Sequence, residues 1–359
     1  MWYQEERVRP MIANLNDLKD RLVHQIKNSN KVFIVGHNSP DFDAIGSSIG
    51  LATLAKSLGK ECHIIVDDDL FKIESGAKKI IDECRDNYSI INRGEFLDKV
   101  DDNSLLIITD TNNRSLLSIK DDLNSFSSIF VIDHHCEVED TVLTNNSFIS
   151  IDSSSSSEIV TRLLNDLNVT YSPEVASYLL AGISLDTKRF KQSTTSITHD
   201  VAEKLIEHGA NIDYVNHLFL EEFDSFCRIS NLIINGTNFK KYKKELIIPV
   251  QVSFTLDRKN PTFIYQKEDF AKAADRMMKF NGIDASFALG FIDPNIVHVS
   301  ARSGKRVNVG NIMSQMNGGG NMQSAGGQYQ TNDIFKIENE LIKNIHYGIS
   351  DDDSIIRKR

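Results

Sequence analysis

A chain of 359 residues is long for one hydrophobic core, and the way buried surface scales with size favours two domains, each able to fold without staples. With 40% hydrophobic and 25% charged residues, and no stretch approaching the roughly 20 apolar residues that cross a bilayer, the composition is that of a soluble globular protein. A formal net charge of -10 argues against generic binding to long nucleic acid, which relies on clustered Lys and Arg.

The N-terminus, Met1-Trp2-Tyr3-Gln4-Glu5-Glu6, has no basic region leading into an apolar stretch, so no signal peptide is expected and a cytoplasmic location follows, with no membrane segment in this chain. Residues 14–28 carry apolar positions at helical spacing. Lys31-Val32-Phe33-Ile34-Val35 is then a short apolar, partly β-branched run, expected as a buried strand. Two more such runs follow, Leu105-Leu106-Ile107-Ile108 and Ile129-Phe130-Val131-Ile132, separated by helical patterns such as 44–58 and 72–83. Continuous apolar strands alternating with helices predict an α/β fold with a doubly wound, mostly parallel sheet. The segment 178–185 reads as either helix or strand. Past residue 190 the pattern turns helical, and a second, smaller α/β domain begins near Glu245. The expected organisation is a helical segment over 1–28, a first domain over 29–197, a helical linker over 198–238, a second domain over 239–347 and a solvated tail over 348–359. Cys62, Cys84, Cys136 and Cys227 form no CxxC pair and read as structural thiols.

The strands stop at informative places. The first runs into His37-Asn38-Ser39-Pro40-Asp41-Phe42-Asp43, the second into Thr109-Asp110-Thr111 and the third into Asp133-His134-His135, while 178–185 ends in Asp186. Open α/β sheets bind their ligands at the carboxyl ends of strands. HxxxDxD alone would read equally well as a polar turn; three further ligand-bearing ends decide for a metal site. Four carboxylates with two or three histidines and no cysteine suit manganese or magnesium and suit structural zinc poorly. Two divalent cations about 3.5–4 Å apart can hold a water as hydroxide and clamp a phosphoryl group for in-line displacement. Their four positive charges would balance Asp41, Asp43, Asp110 and Asp186. Asp110, on the middle strand in chain order, is the candidate bridge. His134 and His135 diverge in an extended segment, so one is expected to bind metal and the other to face substrate.

Elsewhere, Ser155-x-x-Glu158 has the spacing of a capping box, with phosphate binding at that helix start as the alternative. The remaining histidines and the acidic runs 67–69 and 351–353 read as surface or structural. In the second domain, Ser300 and Arg302 close an apolar strand, and Gly318-Gly319-Gly320-Asn321 offers backbone amides free of side chains. Both suit phosphate recognition.

Taken together, these motifs resemble the DHH phosphoesterase superfamily, named for the Asp-His-His here at Asp133-His134-His135, which includes RecJ-type exonucleases, nanoRNases, cyclic-dinucleotide phosphodiesterases and family II inorganic pyrophosphatases. The resemblance implies that His37 and Asp41 hold one metal, Asp43, His134 and Asp186 the other, and Asp110 bridges. It implies too that His135 contacts the scissile phosphate or helps protonate the leaving oxygen, with Asp133 orienting a histidine. The second domain resembles the one commonly joined to a DHH domain, unlike that of the pyrophosphatases, and implies a cyclic dinucleotide or short linear oligonucleotide held by Ser300, Arg302, Gly318, Gly319, Gly320 and Asn321. Two manganese ions are the implied cofactors and a homodimer the plausible assembly. Ala181-Gly182-Ile183 to Lys188, Asn308-Val309 to Ile312-Met313 and Arg7-Val8-Arg9 are most similar to the catalytic region of membrane-anchored cyclic-di-AMP phosphodiesterases, either stand-alone or excised. Against this, the family's glycine motif usually ends in histidine where Asn321 stands, and Ser193-Thr194-Thr195 with Thr198-His199 is more similar to the nanoRNase branch. Hydrolysis of cyclic-di-AMP to linear pApA is the leading expectation. The alternatives are a nanoRNase or pApA hydrolase, and a catalytically idle nucleotide-binding module.

Overall fold

The computed structural model describes residues 14–66, 73, 75–241, 247–253, 265–304 and 307–350. Arg7-Val8-Arg9 and both acidic runs lie outside these residues. The chain divides into two compact units, Met1–Leu220 and Glu221–Arg359.

The first unit runs α1 (Leu15–Asn28), β1 (Lys31–Val35), α2 (Phe42–Ser57), β2 (Glu61–Ile65), α3 (Ser75–Cys84), β3 (Ser89–Ile91), α4 (Arg93–Lys99), β4 (Ser104–Thr109), β5 (Ser128–Asp133), β6 (Ser147–Ile149), α5 (Ser156–Asp166), α6 (Pro173–Asp186), α7 (Ser196–Glu207) and α8 (Ile212–Leu218). Its six strands lie in the order β3-β2-β1-β4-β5-β6, with every neighbouring pair parallel. This is the doubly wound sheet expected from the continuous apolar runs. Each run feeds two cores: on β1, Val32 and Ile34 pack into one layer, and Phe33 and Val35 into the layer on the opposite face. Strand order reverses between β1 and β4, so the crevice for a ligand falls at their carboxyl ends.

The ambiguous segment 178–185 is helical, part of α6. Ser172 caps that helix by accepting the amide of Val175, and Pro173 occupies its first turn, where a missing N–H has no consequence. The residues 196–236 carry α7 and α8 in the first unit and α9 in the second. Thr195 and Thr198 form a reciprocal cap at the start of α7.

The second unit comprises α9 (Phe223–Gly236), β7 (Thr237–Lys241), β8 (Ile247–Ser253), α10 (Lys267–Met277), β9 (Ala285–Asp293), β10 (Ile296–Ser303), α11 (Val309–Ser314), β11 (Gly319–Gly320), β12 (Ser324–Gln330) and α12 (Ile334–Ser350). Its sheet, in the order β11-β12-β10-β9-β8-β7, is antiparallel except for the β8–β9 pair. Along β10, Val297, Val299 and Ala301 enter the core with α11 and α12, which leaves His298, Ser300 and Arg302 on the other face. No helix among the described residues is long and apolar enough to cross a membrane.

Candidate metal centre

Three strand ends and two helix ends converge on one carboxylate cluster. Asp41 is the N-cap of α2: its Oδ1 accepts the amides of Asp43 at 2.9 Å and Ala44 at 3.1 Å, leaving Oδ2 3.7 Å from His37 Nε2. Asp110 follows β4 in the left-handed region, φ 59°, a conformation that costs a non-glycine residue on the order of 1 kcal/mol or more. Its carboxylate lies between two imidazoles, with Oδ2 3.6 Å from His37 Nε2 and Oδ1 3.5 Å from His134 Nε2. On its other side, His134 Nε2 is 3.2 Å from Asp186 Oδ2 and 3.9 Å from Asp43 Oδ2.

The ligand atoms therefore form two groups, His37-Asp41-Asp110 and Asp43-Asp110-His134-Asp186, each with its atoms within 4.8 Å of one another and sharing Asp110. Asp110, His134 and His135 make a third, overlapping group. The sharing follows from the sheet, because β4 lies between β1 and β5. Asp110 Oδ1, His134 Nε2 and Asp186 Oδ2 are buried without hydrogen-bond partners. Orphaned polar atoms cost about 1–3 kcal/mol each, and three converging on one point fit a bound cation. An oxygen and imidazole donor set without sulfur fits a divalent cation such as manganese or magnesium.

Protons occupy the cluster when cations do not. Burial works to lower the His37 pKa, but the neighbouring Asp110 and Asp41 carboxylates outweigh it and push the imidazole up to about 10. For His134, burial is likewise outweighed, here by Asp110, Asp186 and Asp43, and its pKa rises to about 11. Burial would raise Asp110; His134 and His37 hold it below the usual carboxylate range instead. Burial, followed by the charges of Asp110 and Asp186, drives Asp43 well above that range. A cation bound by these imidazoles would have to displace their protons. Calorimetric titration with Mn2+ in buffers of different ionisation enthalpy is expected to show proton release and a tighter apparent affinity at pH 8 than at pH 6. A pH-independent affinity without proton release would contradict this assignment.

Asp133 is fully buried and serves His135. Its Oδ1 accepts the ring Nδ1–H of His135 at 2.9 Å and the amides of His134 at 2.8 Å and His135 at 3.2 Å. That hydrogen bond, against burial, raises the His135 pKa and leaves Nε2 on a ring whose side chain is 57% exposed. Asn112 was not among the residues singled out from sequence. Its Nδ2 donates to Asp133 Oδ2 at 2.8 Å and its Oδ1 accepts Thr141 Oγ1–H at 2.9 Å, which anchors the carboxylate from behind. Cys136 is exposed beside this pair, so packing does not account for that thiol.

The Ser155 cap is present, with Ser155 Oγ accepting the Glu158 amide at 3.0 Å. The second half of the capping box is replaced: Glu158 Oε2 accepts the hydroxyls of Ser154 at 2.6 Å and Thr198 at 2.8 Å. The amides at the start of α5 serve an anion of the protein itself, those of Ser156 and Ser157 donating to Asp43 Oδ2 and Oδ1 at 2.7 Å each.

In the second unit, strand register places Gly319, Gly326 and Ser300 in one row across β11, β12 and β10, with Ser324 beside Arg302. Arg302 Nε donates to Asp275 Oδ1 at 2.9 Å, while Ser300 is buried and hydrogen-bonded to His298 Nε2 at 3.0 Å. The glycine run is a strand edge: the Gly318 amide is taken by Met313 O at 2.8 Å, and Gly319 and Gly320 pair with β12. Asn321 Oδ1 accepts the amides of Gln323 at 2.9 Å and Ser324 at 2.8 Å, which closes the β11–β12 turn.

The sequence matches the DHH family N-terminal domain over residues 31–183 and the DHHA1 domain over 250–346. It is 28% identical over 358 residues to cyclic-di-AMP phosphodiesterase PdeA of Listeria monocytogenes, covering 95% of this chain and 50% of the relative. To cyclic-di-AMP phosphodiesterase GdpP of Bacillus subtilis it is 31% identical over 318 residues, covering 84% of this chain and 45% of the relative. The chain thus spans about half the length of these curated relatives. An exopolyphosphatase-related protein from Bacteroides fragilis shares the fold, with a TM-score of 0.73 at 22% identity over 91% of this chain and 96% of that one. Fold and carboxylate cluster together define a metal-dependent phosphoesterase. The chain belongs to the DHH/DHHA1 phosphoesterase family.

Proposed function

We propose that the protein is a two-metal phosphodiesterase that hydrolyses cyclic-di-AMP to linear pApA. The observation that carries this reading is the pair of ligand groups sharing Asp110, beside an exposed histidine that belongs to neither. Two divalent cations held there, manganese above all, would activate water and offset the charge of the phosphoryl oxygens. His37 and Asp41 hold the first, Asp43, His134 and Asp186 the second, and Asp110 both. His135, with Nδ1 fixed by Asp133, presents Nε2 to the phosphate or to the departing 3′-oxygen. Asp133 raises the pKa of this ring, which favours its acting as a proton donor to that oxygen. In the second unit, Ser300, Arg302 and the strand edge from Gly318 to Asn321 are the candidate residues for binding a nucleotide.

The substrate class is supported by the similarity to the cyclic-di-AMP phosphodiesterases PdeA and GdpP, which match this chain over 84% or more of its length. A pApA or nanoRNA hydrolase is the second reading, supported by the resemblance of Ser193-Thr194-Thr195 with Thr198-His199 to the nanoRNase branch, whereas Asn321, a neutral amide engaged in its own turn, speaks for an idle nucleotide-binding module. The test is chromatography of products formed with Mn2+ from cyclic-di-AMP and from pApA at equal concentrations. Faster consumption of the circular substrate, with pApA accumulating, is expected. Faster consumption of pApA would transfer the assignment to the second reading, and tight binding of cyclic-di-AMP without any product would mark an idle binding module.

A further inference from the structure

We propose that Gly182 is a positioning residue of the metal centre, one whose lack of a side chain sets the separation of the Asp43 and Asp186 carboxylates. The inference rests on the two-metal reading above. Asp43 is fully buried and gripped from one side by α5, whose Ser156 and Ser157 amides each donate to one carboxylate oxygen at 2.7 Å. From the other side comes α6, and the point of closest approach is Gly182. A Cβ there would lie 2.3 Å from Ser157 Oγ, 2.8 Å from Asp43 Oδ1 and 2.9 Å from Asp43 Cα, all nearer than carbon tolerates. Two of these are the backbone and the ligating carboxylate of Asp43, which cannot turn aside as the end of a flexible side chain can.

The same helix carries Asp186 one turn further on, on the same face. A methyl group at 182 must therefore push α6 back, and Asp186 with it, or force the Asp43 carboxylate off its two amides. Either movement opens the Asp43-Asp110-His134-Asp186 group and leaves His37-Asp41-Asp110 as it was. Gly46 continues the approach from α2, where a Cβ would meet Tyr178 O at 2.6 Å and Ser157 Oγ at 3.1 Å. Gly50, further along α2, differs in kind: a Cβ there meets Val160 Cγ1 at 2.6 Å and Leu179 Cδ2 at 3.1 Å, neither of them a residue of the ligand groups. Gly50→Ala is thus a control for helix packing alone.

The experiment counts Mn2+ bound to the full chain by paramagnetic resonance of the free ion, in wild type, Gly182→Ala and Gly50→Ala, with thermal melting in parallel. Wild type and Gly50→Ala are expected to bind two ions with equal affinities. Gly182→Ala is expected to keep one and to bind the other at least about tenfold more weakly, the scale of loss seen when support behind a ligand is removed. Two ions bound by Gly182→Ala with wild-type affinity overturn the proposal and leave the two-metal reading intact, whereas a wild type binding fewer than two ions removes that reading itself. Should Gly182→Ala not fold, Gly182→Ala/Ser157→Ala, which lacks the nearest clash, is titrated in its place against the same two outcomes.

Discussion

Asp110→Ala is expected to lower kcat/KM by a factor on the order of 10³ or more, equivalent to about 4 kcal/mol of transition-state stabilisation. Of the clustered carboxylates, Asp110 alone belongs to both ligand groups, so under the proposed two-metal reading its loss would take one ligand from each cation. It would also deprive His37 and His134 of the carboxylate charge that lies 3.6 Å and 3.5 Å from them. Asp41→Ala, by contrast, removes a ligand from one group only, together with the N-cap of α2, and should be the milder variant. Steady-state kinetics across a Mn2+ titration separate the two: excess Mn2+ should restore part of the Asp41→Ala activity and little of the Asp110→Ala activity. Activity of Asp110→Ala within tenfold of wild type would contradict the assignment of the bridge.

His135→Ala is expected to lower kcat by about 10²–10⁴, the range for removing a positioned general acid, while Mn2+ affinity stays unchanged. The separation of these two quantities is the point, because His135 also lies 3.8 Å from Asp110 Oδ1 and within the third potential ligand group. A ligand role would weaken metal binding and could be masked by excess metal; a substrate-facing role would do neither. Asn112→Ala, which removes the donor behind Asp133, should reproduce the same pattern with a smaller loss of roughly 10–100-fold. A fall in Mn2+ affinity that tracks the fall in kcat would place His135 among the ligands instead.

How much of this was legible in the sequence depended on the range of the physics involved. Strands buried on both faces are short continuous apolar runs, so β1, β4 and β5 could be read directly, and with them the convergence of His37, Asp41, Asp110 and His134 at strand ends. Asp186 was visible as a residue but not as the end of a helix, since 178–185 is apolar on all sides and lacks a helical period; the decisive signal was Ser172-Pro173 upstream. The Ser155 cap follows from local spacing. That the amides behind it hold Asp43 is a contact across 113 residues of sequence, which no spacing rule reports. Asn112 was passed over because one polar residue after a ligand strand carries no period, and Gly182 because a glycine inside a helix shows its reason only when its neighbour across the interface is known. In the second unit, an apolar run closing on Ser300 and Arg302 marked both residues, but their partners His298 and Asp275 required the fold.

The central claim, that six residues hold two cations through one shared carboxylate, is tested most directly by anomalous diffraction at the manganese edge from crystals grown with Mn2+. The account predicts two peaks about 3.5–4 Å apart, one bounded by His37 and Asp41, the other by Asp43, His134 and Asp186, with Asp110 touching both. A single peak, or two that do not share Asp110, would contradict it.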